Sequence, residues 1–119
     1  DPQSLYLKCT GLMRETYGDA KETKSTVTQG YLIKIKPPFV TYAEGEYATF
    51  FSQDDCQYSA LEYRCEKDRE RFGSFISYIL EFNRASGTVF EMIYVEPPVR
   101  GYPSRIYEGT CSVTDKPKF

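Results

Sequence analysis

The sequence predicts an all-β protein: a single antiparallel sheet of about seven or eight strands, forming a small barrel or a flattened sandwich held by disulfide bonds. Three observations lead to this prediction. Runs rich in Tyr, Phe, Ile and Val alternate with short turn segments. The 119 residues suffice for one domain, residues 1–119, with one core. Four cysteines in so short a chain are typical of a disulfide-bonded protein.

The longest strand-like stretch is residues 72–96, in which two apolar runs flank the polar segment 83–87. β-Branched and aromatic residues fit a pleated sheet, and Gly87 can supply the positive φ that a hairpin turn requires. Residues 72–82 also carry apolar side chains at helical spacing, so a helix is the alternative there. The lack of Ala, Gln and Lys and the presence of Gly73 favour the strand.

Other segments combine strand-forming residues with alternating polarity. The remaining predicted strands are residues 4–11, 25–36, 39–42, 47–52, 57–65 and 106–113. Gly30 predicts a bulge or a sharp bend. The polar residues 12–24 predict a connection that turns near Gly18, and residues 99–104 predict a loop. The six charged residues 66–71 predict an exposed hairpin tip or one exposed helical turn.

The four cysteines allow three disulfide pairings. We prefer Cys9–Cys111 with Cys56–Cys65, because each bond would join segments that we expect to be neighbouring strands. Four reduced, buried cysteines are the alternative. A zinc site is disfavoured, since the spacing fits no zinc template and the chain has no His. A bond between the first and last strands would close or nearly close the sheet and remove exposed strand edges.

Composition argues against two classes of partner. The chain carries 15 basic and 17 acidic residues, whereas nucleic-acid binding relies on a clustered basic surface. It contains no run of 18 apolar residues, so we predict no membrane span. Disulfides persist in oxidising compartments, and we therefore expect an exported protein. We also expect a monomer. The start at Asp1-Pro2 predicts a mature chain whose signal peptide has been removed, or a trimmed one.

Short motifs at both ends of the chain and in its central hairpin resemble small exported proteins of α-proteobacteria. They are Leu-Lys-Cys-Thr-Gly at residues 7–11, Phe-Asn-Arg-Ala-Ser-Gly at 82–87, Tyr-Glu-Gly-Thr-Cys at 107–111 and Lys-Pro-Lys-Phe at 116–119. Proteins of that group share a Cys-x-Gly opening, an Asn-Arg-x-Thr/Ser-Gly hairpin and a Cys near a C-terminal Phe. The resemblance implies a secreted or periplasmic β-protein with a Cys9–Cys111 bond, and it implies no function.

We do not expect an enzyme. Without His there is no conventional Ser–His or Cys–His couple, and paired cysteines cannot act as nucleophiles. The candidate carboxylates for glycoside hydrolysis are those of Asp54, Asp55, Glu62, Glu44 and Glu46. For calcium binding, Asp54 and Asp55 could join Glu66 or Asp68. Carboxylates in loops are mostly solvated, however, and no calcium-loop spacing is present. We predict no catalytic residue, no metal and no cofactor.

Binding is the function class that the composition favours. Tyr and Arg are frequent anchors at interfaces because they combine apolar area with hydrogen bonding. Two groups of these residues are candidate contacts for a protein partner or a small ligand: Tyr58, Tyr63 and Arg64, and, near the late loop, Arg100, Tyr102 and Arg105. If the sheet closes, we expect both groups near one rim. Alternatively, the tyrosines complete the core and the arginines pair with nearby acids.

Two specific binding functions are open. Residues 86–90, Ser-Gly-Thr-Val-Phe, are similar to the Ser-Gly-x-x-Tyr motif of periplasmic lysozyme inhibitors, which are small disulfide-bonded β-barrels. Ser86, Gly87 and Phe90 thus predict an inhibitor of a cell-wall hydrolase, although Phe90 lacks the hydroxyl of the motif's Tyr. The other function is a carrier that holds a small apolar ligand in an aromatic-lined barrel mouth. A carrier needs a cavity of roughly 300 Å³ or more, whereas a fully packed interior would exclude it.

Overall fold

The computed structural model describes residues 4–18, 21–35, 38–44 and 51–113, and it places them in one antiparallel sheet. Eight strands lie in these ranges. They are β1 (Ser4–Thr16), β2 (Thr23–Ile35), β3 (Pro38–Glu44), β4 (Cys56–Tyr58), β5 (Glu62–Arg71), β6 (Ser74–Asn83), β7 (Thr88–Glu96) and β8 (Ser104–Val113). A single 3-10 turn, Gln53–Asp55, precedes β4.

The strands lie in the order β3-β2-β1-β8-β7-β6-β5-β4 across the sheet. The predicted all-β architecture and antiparallel sheet are thereby confirmed. The hydrogen-bonded order is open, and β3 and β4 are its two edges within the described ranges. The curling of the sheet into a barrel or flattened sandwich stays a prediction.

Both disulfide bonds join residues that lie directly opposite each other on adjacent strands. Cys9 of β1 faces and bonds Cys111 of β8, and their Cα atoms are 4.0 Å apart. Cys56 of β4 faces and bonds Cys65 of β5 at the same Cα separation of 4.0 Å. The preferred pairing is confirmed, and the alternative of reduced cysteines is wrong. Each bond links its two strands covalently and fixes the register between them.

The strands alternate between one buried face, here called the inner face, and an outer face. On β6 the even-numbered residues from Ser74 to Phe82 are buried, and on β7 the odd-numbered residues from Val89 to Val95 are buried. A period of two residues is that of a strand. The strand prediction for residues 72–82 is therefore confirmed from Ser74 onward, and the helical alternative is wrong.

The charged run 66–71 was expected at a hairpin tip or in a helical turn, and that prediction is wrong. These residues form the second half of β5. Its three basic residues face the buried positions of β6, and its three acidic residues face the exposed or half-buried ones. Alternation thus separates the two signs of charge onto the two faces. The short β4 pairs with residues 63–65 of β5, so residues 66–71 extend past it. This half of β5 can therefore carry charges on both faces.

Other boundaries differ from the sequence prediction in smaller ways. β1 continues to Thr16 and β2 begins at Thr23, so the polar connection expected over residues 12–24 is shorter than predicted. The bulge expected at Gly30 is confirmed by a shift of the β2–β3 register between Gly30 and Tyr31. Most of the strand expected at 47–52 lies outside the described residues, and Phe51 and Ser52 are not in a strand.

The turn between β5 and β6 consists of Phe72 and Gly73, and both have positive φ angles, of 54° and 75°. Two-residue hairpins with two positive φ angles favour Asn, Asp or Gly at the first position. A bulky residue there is strained, because its Cβ approaches the neighbouring backbone. Phe72 is also 70% exposed, so burial of its ring offsets little of this cost.

We predict that Phe72→Asn stabilises the protein. Asn adopts a left-handed conformation more readily, and we expect the free energy of unfolding to rise by about 0.5–1 kcal/mol. Urea unfolding of the two proteins measures the difference. Phe75→Asn is the control, because Phe75 is similarly exposed but has no positive φ. An equal gain in that variant, or no gain for Phe72→Asn, would contradict the prediction.

Candidate functional site

A cleft of about 330 Å³ opens at the end of the sheet where β1 and β5 begin and where β6 and β8 end. We call it the end cleft. Its walls are mainly apolar and include Leu5, Leu7, Ile33, Tyr63, Phe82 and Val113. These side chains come from five strands. The register of the sheet aligns the strand ends, and contacts between β2 and both β5 and β6 bring the two sides of the cleft together.

The floor of the end cleft is held by contacts between strands that are not neighbours in the sheet. Tyr63 is 2% exposed, and its hydroxyl donates to the Lys34 carbonyl oxygen at 2.6 Å. Burial raises the pKa of Tyr63 above its ordinary value. The ring of Phe82 packs edge-on against Tyr31, with 4.9 Å between ring centroids. These contacts fix the aromatic side chains that bound the cleft.

The rim of the end cleft carries a cation beside an aromatic ring. Tyr58 is 40% exposed, and its hydroxyl accepts a hydrogen bond from the Arg84 guanidinium. The Arg84 Cζ atom also lies 4.9 Å from the centroid of the Tyr58 ring. The Asn83 side chain accepts from the N–H groups of Ala85 and Ser86, at 2.9 and 3.0 Å, which orders the turn that bears Arg84.

The first predicted Tyr/Arg group is divided by the structure. Tyr58 and Tyr63 both line the end cleft. Arg64 does not, because it lies on the outer face, where its guanidinium pairs with Glu81 and with Glu66 at 3.1 Å. Tyr63 is therefore a core tyrosine and Arg64 an ion-paired arginine, as the alternative interpretation expected.

The second predicted group lies at the opposite end of the sheet. Tyr102 and Arg105 line another cleft of about 320 Å³, here called the far cleft. Tyr102 shares a hydrogen bond of 3.0 Å with Tyr78, and Arg105 pairs with Glu15 at 3.0 Å. Arg100 is exposed and lines neither cleft.

The expectation that both Tyr/Arg groups share one rim is wrong. Arg105 of the far cleft and Cys111 of the end cleft are six residues apart on β8. A strand rises ~3.3 Å per residue, so these two positions are about 20 Å apart. The two groups cannot contact one small ligand together.

The residues expected in an inhibitory segment occupy the β6–β7 turn and the start of β7. Gly87 has a φ of 69°, its N–H donates to the Asn83 carbonyl oxygen at 2.9 Å, and it lines the end cleft. Ser86 is exposed and shares a hydrogen bond of 2.7 Å with Thr88. Phe90 is half-buried at an outward-facing position of β7. Of the three residues, Gly87 lines the end cleft, and Ser86 and Phe90 do not.

A buried polar cluster that was not predicted from the sequence lies on the inner face. The Glu91 side chain is 4% exposed, and it accepts hydrogen bonds from the Tyr31 hydroxyl at 2.8 Å and the Gln29 amide at 3.2 Å. The alternation of Val89, Glu91 and Ile93 could have predicted that Glu91 points inward. The cluster lines neither cleft, and its hydrogen bonds join β2 to β7 across the interior.

The sequence analysis also missed Arg84 as a candidate site residue. Its only sequence signal is its position in the polar turn 83–87, and that signal does not reveal that the turn lies beside Tyr58. The carboxylate of Asp55, a calcium candidate, instead accepts from the Ser52 N–H at 2.8 Å. In the described ranges, no group of three or more potential ligands converges as a metal site would require.

Comparison of the chain with protein families, curated proteins and solved structures gave no match. In the part of the chain that the structure describes, no helix has the length and apolar character needed to cross a membrane. Function must therefore be argued from the clefts themselves, since a β-sheet fold alone implies none.

The buried tyrosines predict a loss of stability at alkaline pH. Burial and then the nearby charge of Glu91 raise the pKa of Tyr107 to about 12, from an ordinary value of 10.0. A raised pKa means that the neutral phenol is favoured by folding, so this stabilisation is complete below pH 10 and is lost as the pH rises toward 12. Within that window, Tyr107 should lower the free energy of unfolding by up to ~1.4 kcal/mol per pH unit.

Urea unfolding between pH 8 and 11 measures this fall. Tyr107→Phe should be less stable than the wild type at pH 8 by about 0.5–1.5 kcal/mol, because a buried hydrogen bond is lost, and its stability should fall less steeply above pH 10. Tyr17→Phe is the control, since Tyr17 is 43% exposed. Equal slopes for wild type and Tyr107→Phe would show that Tyr107 does not contribute.

Proposed function

We propose that this protein is a non-catalytic binding protein that holds a small apolar molecule in the end cleft. The observation that carries the proposal is an apolar opening of about 330 Å³ on the inner face. Ligand sites in proteins have volumes of roughly 300–1,000 Å³ and are lined mainly by apolar and aromatic side chains. An apolar ligand would remove this lining from water, which is the favourable term in such binding.

The far cleft is less suited to an apolar ligand. Its volume is similar, at about 320 Å³, but charged side chains form part of its lining: Arg14, Glu22, Glu96 and Arg105. Removing such groups from water costs free energy unless the ligand pairs with them. Polarity of the lining therefore favours the end cleft over the far cleft.

We also propose that the sheet curls toward a barrel or a flattened sandwich. The support is contact between strands that are distant in the sheet order. The Tyr63 hydroxyl of β5 reaches the Lys34 carbonyl of β2 at 2.6 Å, and the Phe82 ring of β6 meets Tyr31 of β2. Such contacts require different parts of the inner face to turn toward one another, as in a curled sheet.

Export to the periplasm or to the exterior is part of the proposal. Two disulfide bonds are expected in an oxidising compartment and are uncommon in the cytosol. The resemblance to small exported proteins of α-proteobacteria supports the same location. A monomer is sufficient for this function, because the end cleft is formed by residues of one chain.

Inhibition of a cell-wall hydrolase stays a prediction from the motif at residues 86–90. The geometry favours it less than ligand binding, since Phe90 is half-buried and supplies no hydroxyl. A lysozyme assay with and without added protein tests it. The absence of inhibition at micromolar concentrations would end this hypothesis.

We predict that the wild-type protein binds 1-octanol with a dissociation constant of roughly 1 mM or lower, given the binding energy that a ligand of about nine non-hydrogen atoms can supply. Leu7→Trp should fill the end cleft and weaken binding at least about tenfold. Leu12→Trp is the matched control, because Leu12 lies on the outer face of the same strand and is 42% exposed. Titration followed by NMR measures both affinities.

The methyl resonances of the wild-type protein provide a second measurement, which does not depend on the folding of Leu7→Trp. Shifts on addition of 1-octanol should concentrate at Leu5, Ile33 and Val113, which line the end cleft. Saturable shifts located instead around Met92 and Ile106, which line the far cleft, would assign the ligand to the wrong site and contradict the proposal. A complete lack of saturable shifts would also contradict it.

A further inference from the structure

We propose that the ligand of the end cleft is a single-chain carboxylate whose anionic head binds Arg84. This inference rests on the proposed function and adds the charge of the ligand and its orientation: apolar chain inward, carboxylate at the rim. It follows from three properties of Arg84, namely its charge, its available donors and its position.

The charge of Arg84 is not matched by a carboxylate within the described ranges. Arg14, Arg64 and Arg105 each form an ion pair with a glutamate, and Arg84 forms none there. Among the described residues that line the end cleft, Arg84 is the only titratable side chain apart from two tyrosines. From those residues an anionic ligand would meet one positive charge and no negative one.

The guanidinium keeps donors for a ligand after its contacts within the protein are made. Arginine has five N–H donors, and the Tyr58 hydroxyl accepts from Nη1 of Arg84. Its backbone is anchored by a hydrogen bond of 2.9 Å to the Leu61 carbonyl oxygen. The Tyr58 ring beside the guanidinium further limits its motion. The remaining planar fork matches the two oxygens of a carboxylate, so bidentate binding is available.

The position of Arg84 fits a molecule with one apolar chain. Arg84 and Tyr58 are exposed at the rim, whereas Tyr63 and Phe82 are buried at the floor. A volume of about 330 Å³ corresponds to roughly ten non-hydrogen atoms, since one water occupies ~30 Å³ in the liquid. Octanoate has about that size and carries its charge at one end, so it is a suitable probe.

Octanoate and 1-octanol have the same chain length and differ in the charged head, and their comparison tests the inference. We expect the wild-type protein to bind octanoate about tenfold more tightly than 1-octanol at pH 7 and low ionic strength, because charge-assisted hydrogen bonds are among the stronger ones. Arg84→Gln should reduce this preference to about twofold or less while leaving 1-octanol affinity nearly unchanged. Arg84→Lys should retain part of it, because lysine keeps the charge and loses the planar fork.

Arg64→Gln is the matched control. It removes an arginine that is ion-paired on the outer face, and the preference for octanoate should be unchanged. Near-ultraviolet circular dichroism checks that each variant is folded. Arg84 is exposed, so its substitution is expected to leave the core intact.

The outcomes separate this inference from the proposed function. If octanoate and 1-octanol bind the wild type equally well, or if Arg84→Gln keeps the preference, the assignment of a carboxylate to Arg84 is wrong and the apolar site stands. If neither compound binds, both proposals fail. Octyl phosphate is the third probe, and tighter binding of that compound than of octanoate would replace the carboxylate with a phosphate ester and overturn the inference.

Discussion

The pairing of the first strand with the last is the constraint on which the rest of this structure depends. β1 and β8 pair from Leu7–Val113 to Thr16–Ser104, and the bond between Cys9 and Cys111 lies within this ladder. On one side of it lie β2 and β3, and on the other β7, β6, β5 and β4. Most other neighbours in the sheet are joined by short connections along the chain. Among the described strands, the β1–β8 pair is the one that joins the two halves into one sheet.

Close approach of the two backbones makes this pairing demanding in sequence. Gly11 faces Gly109, and a Cβ atom at Gly11 would lie 2.0 Å from the Glu108 carbonyl oxygen. Only glycine fits such a position without a shift of the backbone. The Tyr107 hydroxyl lies nearby and is within hydrogen-bonding distance of the Cys9 carbonyl, at 3.1 Å, and of the Val27 carbonyl, at 2.9 Å. A side chain of β8 thereby contacts the backbones of β1 and β2.

The end cleft is a consequence of this arrangement. Val113 is the last described residue of β8 that pairs with β1, and it lines the cleft together with Cys111, Leu5 and Leu7. The walls from β5 and β6 come from the other half of the sheet. The shape of the end cleft therefore depends on the joining of the two halves, because a shift of the β1–β8 register would separate the walls. A shift by one residue would also turn the inward-facing side chains of the shifted strand outward.

Local patterns predicted the elements of this fold better than they predicted the site. The alternation in residues 74–96 and the turn before Gly87 carried enough information for a correct hairpin. The prediction for the charged run 66–71 was wrong because high polarity is typical of a turn. A strand near the edge of the sheet also tolerates charge on both faces, and residues 66–71 belong to such a strand. The disulfide pairs followed from the assumption that bonded strands are neighbours, which the structure bears out.

Which residues of different strands lie side by side could not be predicted in the same way. Placing Tyr58 beside Arg84 requires the register of β4, β5 and β6 together, and register depends on turn geometry that composition does not give. The same limitation led to the expectation of one shared rim for Tyr58 and Arg105. Burial of Glu91 follows from alternation, but its partner Tyr31 lies 60 residues away in the chain. Contacts at such separation emerge only from the assembled sheet.

Comparing the two disulfides by urea unfolding tests the role of the β1–β8 pair most directly. One double variant, Cys9→Ser with Cys111→Ser, opens a loop with a sequence separation of 102, and the other, Cys56→Ser with Cys65→Ser, opens one of 9. Chain entropy predicts losses in the free energy of unfolding of about 4–5 kcal/mol for the first and about 2–3 kcal/mol for the second. A loss for the first pair that is equal to or smaller than that for the second would contradict the account.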